Sequence, residues 1–503
     1  MNELILPLTK TQISYEFVEK FCPGSLNLCN GFIFKGKYDL ERMKRAVRRL
    51  YERHDVMRMK MAKRDDYVYY TWCDEYDPEL EIVELNADTR DERYAKAMID
   101  ARIRVREDIL FSRKGMYRFF AYVLSDEELM LVYIANHMGT DGNSMVLLNA
   151  ELEKLYENPD REDLPVSSSF EEFQNDRQRI YASAEYNEDS KYWAALMDGY
   201  KAPDIQAPEV KDDKNVAMEC GAFHVPLDKI KQIARNNKTS NFNLLFLLVE
   251  IALAEQLKRD DICLHYIFAA RFAPKYQNTF GFVAHGVDMR TNINKNITCR
   301  ELIEENKRRV NEDIKHIDSA DCVSEKEFIL SYIPNLNTKP KTTFASLEYT
   351  PFVLHSRSNY DFRYCAFIAA ELTDILYVYP MCDINIYGMD FVTCFGEKIN
   401  RYVDRLIENP DITVGELMKV DNKGKSSVMD MLAELWRNVL ELDELPNAED
   451  DFFELGGNSY KAFFVMANLP EEYQGKLEMN DFYDYETLDG ITSRLCEKLG
   501  IKE

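Results

Sequence analysis

A chain of 503 residues is too long for one hydrophobic core, and 46% apolar with 30% charged residues suits several folded cores rather than a disordered chain. A formal charge of −25 argues against nucleic acid and anionic membrane as primary partners, since both recruit basic surfaces. The 11 cysteines stand singly, without a CxxC pair or metal-ligand spacing, so a reducing, cytosolic setting is expected and no metal is.

The opening residues lack a basic stretch followed by a long apolar one, and no leader is expected. Asp39 is placed to cap a helix in which Leu40, Met43, Val47, Leu50 and Tyr51 recur at helical spacing. RHDVMRMKM follows, where Met57, Met59 and Met61 alternate with Arg58 and Lys60 as in a half-buried strand. RFFAYVLS and LMLVYIA, joined by a polar turn, predict a β-hairpin whose second strand is apolar enough to lie inside a sheet. That strand runs into NHMGTDG, after which Met145, Leu148, Leu152 and Leu155 return to helical spacing. The polar heptapeptide therefore lies between a buried strand and a helix, where rigid scaffolds display catalytic groups.

Between Asp198 and Val216 periodicity gives way to Pro, Gly and charge, which suggests a connection between two lobes. The apolar run from Leu244 is interrupted by Glu250 and is too short to span a bilayer, so it reads as a buried helix. ICLHYIF, FRYCAFIAA and ILYVYP read as strands, and a helix is expected through Lys398 and Leu406. DNKGKSS, residues 421–427, is a second polar break before an amphipathic helix at Val428, Met431, Leu432, Leu435, Trp436 and Val439. The expected domains are two mixed α/β lobes at 1–180 and 181–420, a linker at 421–427 and a small domain at 428–503.

Two segments carry the chemistry. In DDFFELGGNSYKAFFVMANL, Ser459 follows two glycines and precedes an apolar helical face, a place where unpaired N–H groups favour an anion. Residue type alone also allows Ser459 or Asn458 to be simply the helix cap. In NHMGTDG, His137 has a side chain able to accept a proton near neutral pH. Taken without context, His137 and Asp141 also allow a structural role.

The first of these segments resembles the peptidyl carrier family, whose DxFFxLGGxS motif bears the phosphopantetheine serine, over about Ser427 to Leu499. The resemblance implies a small all-α four-helix carrier domain with 4′-phosphopantetheine on Ser459. Asn458 stands where the family has His or Asp, and Tyr460 where it has Leu or Ile. Residues 428–503 hold 18 acidic and 6 basic residues, a balance of −12 that suits an electrostatically steered partner.

Most of Met1 to about Val420 resembles the condensation domains of nonribosomal peptide synthetases, whose core motif is HHxxxDG at the end of a buried strand. LPLTKTQ is similar to the family's PLSxxQ, RHDVMRMKM to RHExLRTxF, RDDICLHYIFAAR to DDIVVGxPxAGR and GFVAHGVDMR to GFFVNTLVLR. SFEEFQ with Tyr192 and Trp193 resembles the stretch after the core motif. The resemblance implies two chloramphenicol-acetyltransferase-like lobes and amide formation between a carrier-bound acyl or aminoacyl thioester and an amine on a phosphopantetheine arm. It makes His137 the catalytic residue, either as general base or as electrostatic positioner. It pairs Asp141 with Arg290, and it has Gly142 keep a channel open.

Asn136 replaces the first motif histidine, and AHG in place of VNT puts His285 where the family has Asn, a position on the acceptor side. No adenylation domain lies between the two regions, so the expected partners are a stand-alone adenylating enzyme, an upstream donor carrier protein and a phosphopantetheinyl transferase. The alternatives are an ester-forming or free-amine acyltransferase, and a degenerate, non-catalytic platform that recruits carrier-bound partners.

Overall fold

The computed structural model describes residues 4–21, 23–75, 78–166, 168–203, 205, 222–268, 271, 273–320, 328–333, 343–356, 365–372, 374–382, 387, 389–419, 425–440, 442–470 and 473–499. The chain divides into two compact units, Met1–Leu417 and Met418–Glu503. Most of the expected connection at 198–216 lies outside the described residues.

In the first unit the predicted helix runs Leu40–Arg53, and Asp39 caps it by accepting the Arg42 N–H, a contact typically worth ~1 kcal/mol. Met43, Val47, Leu50 and Tyr51 are all buried, as their spacing predicts. The next segment differs from its period-two reading. Asp55–Arg58 forms a 3₁₀ turn and only Met59–Arg64 is strand, because the Asp55 carboxylate accepts the Phe170 and Glu171 N–H groups and draws the chain into a turn.

One six-stranded sheet has the order Thr343–Phe344, Leu347–His355, Asn27–Lys35, Glu128–Asn136, Tyr117–Ser125, Glu81–Val83. The predicted hairpin supplies Tyr117–Ser125 and Glu128–Asn136, and the latter is buried over nearly its whole length between antiparallel neighbours. Leu347–His355 falls in the range expected for the second lobe, yet it pairs with Asn27–Lys35 and completes this first sheet.

The second six-stranded sheet runs His285–Asn292, Asp261–Phe268, Phe328–Ile333, Cys365–Glu371, Ile375–Met381, Phe223–Pro226. The helix Asn241–Leu257 is buried from Leu244 to Ala254, Glu250 included. Among the described residues no single helix is long and apolar enough to cross a membrane.

The second unit contains the helices Lys425–Leu440, Ser459–Ala467, Met479–Tyr485 and Leu488–Leu499. Its core gathers Trp436, Phe452, Val465, Phe482 and Ile491, all fully buried. The first helix begins at Lys425, so the last three residues of the break expected at 421–427 are helical; 421–424 lie outside the described residues.

Candidate active site and carrier serine

The buried strand Glu128–Asn136 leads into a 3₁₀ turn, His137–Gly139. The carbonyls of Met138 and Gly139 accept hydrogen bonds from the hydroxyls of Tyr70 and Tyr117, each at 2.8 Å, and the His137 N–H donates to Leu26 O. Asn136 is fully buried. Its amide donates to Glu19 Oε1 and Asn27 Oδ1, and its oxygen accepts the Met138 N–H, all at 3.0 Å. Asn136 thus satisfies both ends of its amide and ties the turn to the helix Lys10–Phe21 and the strand Asn27–Lys35. Burial pushes the Glu19 carboxyl up, opposed by hydrogen bonds from the Gly24 and Leu26 N–H groups and from Asn136.

His137 packs against the rings of Tyr15 and Phe282, at centroid distances of 5.0 and 4.8 Å, and those two rings meet each other at 4.7 Å. Burial lowers its pKa below the ordinary 6.5, so the imidazole is neutral at physiological pH. Its Nδ1 is buried without a hydrogen bond, and the backbone of His137 and Thr140 opposes the fall in pKa.

Asp141 is not paired with Arg290. Its carboxylate takes both terminal nitrogens of Arg271 at 2.9 and 3.0 Å, the Ser144 N–H at 2.8 Å, and the Val283 and Ala284 N–H groups at 3.0 and 2.9 Å. Arg290 forms a bidentate pair with Asp261, its neighbour at the far end of the two-stranded pairing, and donates to the Leu196 and Asp198 carbonyls. The physical reason is position. Arg290 is at the outer, partly exposed end of its strand, whereas Arg271 lies three residues beyond the strand Asp261–Phe268, within reach of the motif loop. The Arg271 guanidinium also donates to Ser144 Oγ and to Thr279 O. Ser144 Oγ in turn bridges the carbonyl and N–H of Gly281. Gly281 has φ +134°, and a Cβ there would lie 2.1 Å from the Phe170 ring, so only glycine fits.

Other sequence motifs converge on the same place. Gln12 of LPLTKTQ and Gln174 of SFEEFQ are fully buried and hydrogen-bonded to each other, and Gln12 donates to Phe282 O at 2.9 Å. His54 stacks on Phe280 at 3.6 Å and bonds Glu151. Gly142 opens onto a cavity of about 670 Å³ walled by residues such as Phe242, Tyr266, Phe268 and Met289, and a Cβ on Gly142 meets nothing within 4 Å. His285 is buried, and its Nε2 lies 3.1 Å from the Arg177 guanidinium, which also pairs with Asp318. Burial together with the Arg177 charge and His265 brings the His285 pKa down to about 3, which makes it a neutral acceptor. Among the described residues no group of three or more His, Cys, Asp or Glu is placed to hold a metal.

In the second unit, Asn458 is the helix cap: its side chain accepts the Lys461 N–H at 2.9 Å. Ser459 is the first helical residue, exposed, and free of capping duty. Gly456 has φ +89° with open space beyond it, which lets the chain turn sharply into this helix. Ser459 Oγ lies 2.7 Å from the hydroxyl of Tyr483. Tyr460 and Phe463 are 71% and 58% exposed beside it, although a helix face this apolar is ordinarily covered. An exposed hydroxyl at a helix N-terminus with open space at Gly456 fits a covalently attached phosphodiester.

Residues 2–319 match the condensation-domain family, and residues 430–495 match the phosphopantetheine attachment site. The first match covers more than half of the chain, which belongs to the condensation-domain family. Its second unit is of the kind that carries 4′-phosphopantetheine covalently on a serine. Tyrocidine synthase 2 of Brevibacillus parabrevis is 21% identical over 299 residues, covering 58% of this chain and 8% of that protein. The chain thus spans less than a tenth of that relative's length. The condensation domain of the Monacolin K polyketide synthase MokA matches with a TM-score of 0.66 at 15% identity, over 82% of this chain and 100% of that one. The X-domain in its complex with OxyB from teicoplanin biosynthesis gives 0.66 at 16% identity, over 84% and 97%. At these identities the likeness is one of fold.

Proposed function

We propose that this chain forms an amide between an acyl or aminoacyl group delivered as a thioester and an amine carried on a phosphopantetheine arm, with Ser459 as the attachment residue. The observation that supports it is the Asp141 lock. A buried carboxylate whose oxygens are filled by Arg271 and backbone N–H groups holds the motif loop rigid, with His137 neutral and Gly142 open to the cavity.

The arm supplies a thiol that presents the reacting group as a thioester. His137 Nε2 accepts a hydrogen bond from the attacking amine, so that its lone pair points at the thioester carbonyl carbon. As the C–N bond forms and the C–S bond breaks, the surplus amine proton passes through His137 to the leaving thiolate. Tyr15 and Phe282, packed together against the imidazole, fix its ring. The supporting roles fall to Asn136, which anchors the turn, and to Arg271 rather than Arg290. In this reading the partners are a phosphopantetheinyl transferase, a separate adenylating enzyme and an upstream donor carrier.

The test is His137→Ala, supplied with a loaded donor carrier and a primed, loaded Ser459. Loading should be unchanged and product formation should fall about 10²–10⁴-fold, the range of general acid–base catalysis. A loss under about tenfold would leave His137 a positioner. A second reading, recruitment without catalysis, is favoured by Asn136 in the motif and by the likeness to the X-domain found in complex with OxyB. Absence of product with every loaded carrier pair, while those carriers still bind, would select that reading.

A further inference from the structure

The only side chain that hydrogen-bonds the Ser459 hydroxyl among the described residues is Tyr483, and nothing in the carrier motif calls for it. Tyr483 belongs to the helix Met479–Tyr485, and its neighbours in sequence are anchored on the inner side. Phe482 is fully buried, 5.0 Å from Phe452 in the core. Asp481 is held by Arg494 at 3.0 Å and Lys498 at 2.6 Å, and accepts the Glu478 N–H. The Tyr483 ring stacks on Phe453 at 5.1 Å with an interplanar angle of 15°. The hydroxyl is therefore placed by a core residue, an ion-pair cluster around the buried Asp481 and a ring stack before any ligand arrives, the condition under which one hydrogen bond can orient a reacting group.

We infer that Tyr483 is a positioning residue for the carrier serine: its hydroxyl orients Ser459 Oγ for priming and afterwards donates a hydrogen bond to the phosphodiester at the root of the arm. This rests on the reading of Ser459 as the attachment residue. In priming, Ser459 Oγ attacks the phosphorus of coenzyme A that bears the pantetheine. The Oγ–P bond forms, the pyrophosphate P–O bond breaks, adenosine 3′,5′-bisphosphate leaves, and the serine proton passes to the transferase. The change is chemically asymmetric. Before priming, either hydroxyl can donate; afterwards Ser459 Oγ has no proton, and Tyr483 O–H is the donor left in the pair. A donor there matters because residues 428–503 carry 6 basic against 18 acidic residues, so the new anion has little positive charge of this unit to lean on. Tyr483 and the first N–H groups of the helix Ser459–Ala467 supply neutral donors instead.

The experiment uses the full chain, primed with a phosphopantetheinyl transferase and coenzyme A, as wild type and as Tyr483→Phe, which keeps the ring and its stack on Phe453. Intact mass reports the arm, ³¹P NMR reports the phosphodiester, and a thermal melt reports folding. Expected are one arm on each protein, an unchanged melt, a ³¹P resonance displaced by more than its linewidth in the variant, and a priming kcat about fivefold lower with KM for coenzyme A unchanged, the equivalent of one net hydrogen bond. Coincident ³¹P resonances with the arm present, or a displacement found only together with a lowered melt, would overturn the role of Tyr483 and leave Ser459 standing. A wild-type chain that takes no arm at Ser459 would overturn both.

Discussion

The two chemical centres of this chain are built in opposite ways. Around His137 the loop is densely bonded: Asp141, Asn136, Gln12 and Ser144 use their polar atoms on named partners, and the imidazole packs against two rings. Around Ser459 there is one side-chain hydrogen bond, an exposed helix start and uncovered aromatic rings. The first arrangement suits a step in which geometry must be fixed before substrate arrives. The second suits a hydroxyl that successive partners must reach, where a deep lock would exclude them.

The largest effect expected from breaking this contrast is at Ser459. Ser459→Ala should abolish the mass gain on priming and all product that depends on the arm, while the melt of the protein stays within about 0.5 kcal/mol of wild type, as for an exposed position free of capping duty. An unchanged mass gain in the variant would put the arm elsewhere. At the other centre the same kind of single-residue change should act on folding. Asp141→Asn keeps the shape but leaves Arg271 as a buried cation without its counter-charge, and a loss of about 3–5 kcal/mol is expected by denaturant unfolding. Arg290→Gln removes only a partly exposed pair with Asp261 and should cost about 1 kcal/mol or less. Equal losses in the two variants would mean that the lock is not what holds the loop.

Much of this was legible in the sequence because the periodicities are local. The hairpin, the helix capped by Asp39, the strand-to-helix position of NHMGTDG and the serine after the glycine pair all follow from residues within a few positions of one another. The Asp141 partner was not legible, since Arg271 and Arg290 both end plausible motifs and only the strand pairing decides which one reaches the loop. The pairing aligns Arg290 with Cys263, well back from the loop, while Arg271 lies beyond the end of that strand. A signal was present nonetheless: Arg271 closes RDDICLHYIFAAR. The completion of the first sheet by Leu347–His355 was equally hidden, because its register with Asn27–Lys35 joins residues some 320 apart and leaves no local trace. Tyr483 is missed for the same reason on a smaller scale. Its 24-residue separation from Ser459 is closed only by the helical packing of the second unit.

A smaller effect separates the buried histidines by pH. His285 is held neutral with a pKa of about 3, whereas in the unfolded chain it titrates near 6.5. Between these values the unfolded chain binds a proton that the native one refuses, so stability falls as pH drops from 6.5 towards 3, by up to about 1.4 kcal/mol per pH unit. His285→Gln keeps an acceptor for Arg177 without the titration, and its unfolding free energy should fall less steeply over that window. His137, also lowered by burial, predicts that turnover holds its plateau to below pH 6.5. An acid limb centred at 6.5 in wild type would mean that the ring is solvated during turnover.

The smallest effect on turnover is expected at Asn136, and it bears on whether the departure from the family motif weakens the site. Asn136 is fully buried and uses its amide nitrogen twice and its oxygen once. A histidine ring has at most one N–H directed at Glu19 and Asn27 together and must also fit a larger volume, so Asn136→His should cost about 1–3 kcal/mol of stability through overpacking and one lost hydrogen bond. Turnover should change by less than about tenfold, because Asn136 acts on the turn and the backbone tie from His137 N–H to Leu26 O is untouched. Asn136→Ala sharpens the case: it leaves Glu19 and Asn27 without their shared donor and should destabilise more than the histidine does. If Asn136→His instead raised turnover well beyond tenfold at equal stability, the native asparagine would be a defect in the catalytic machinery, and the recruiting role would gain the stronger claim.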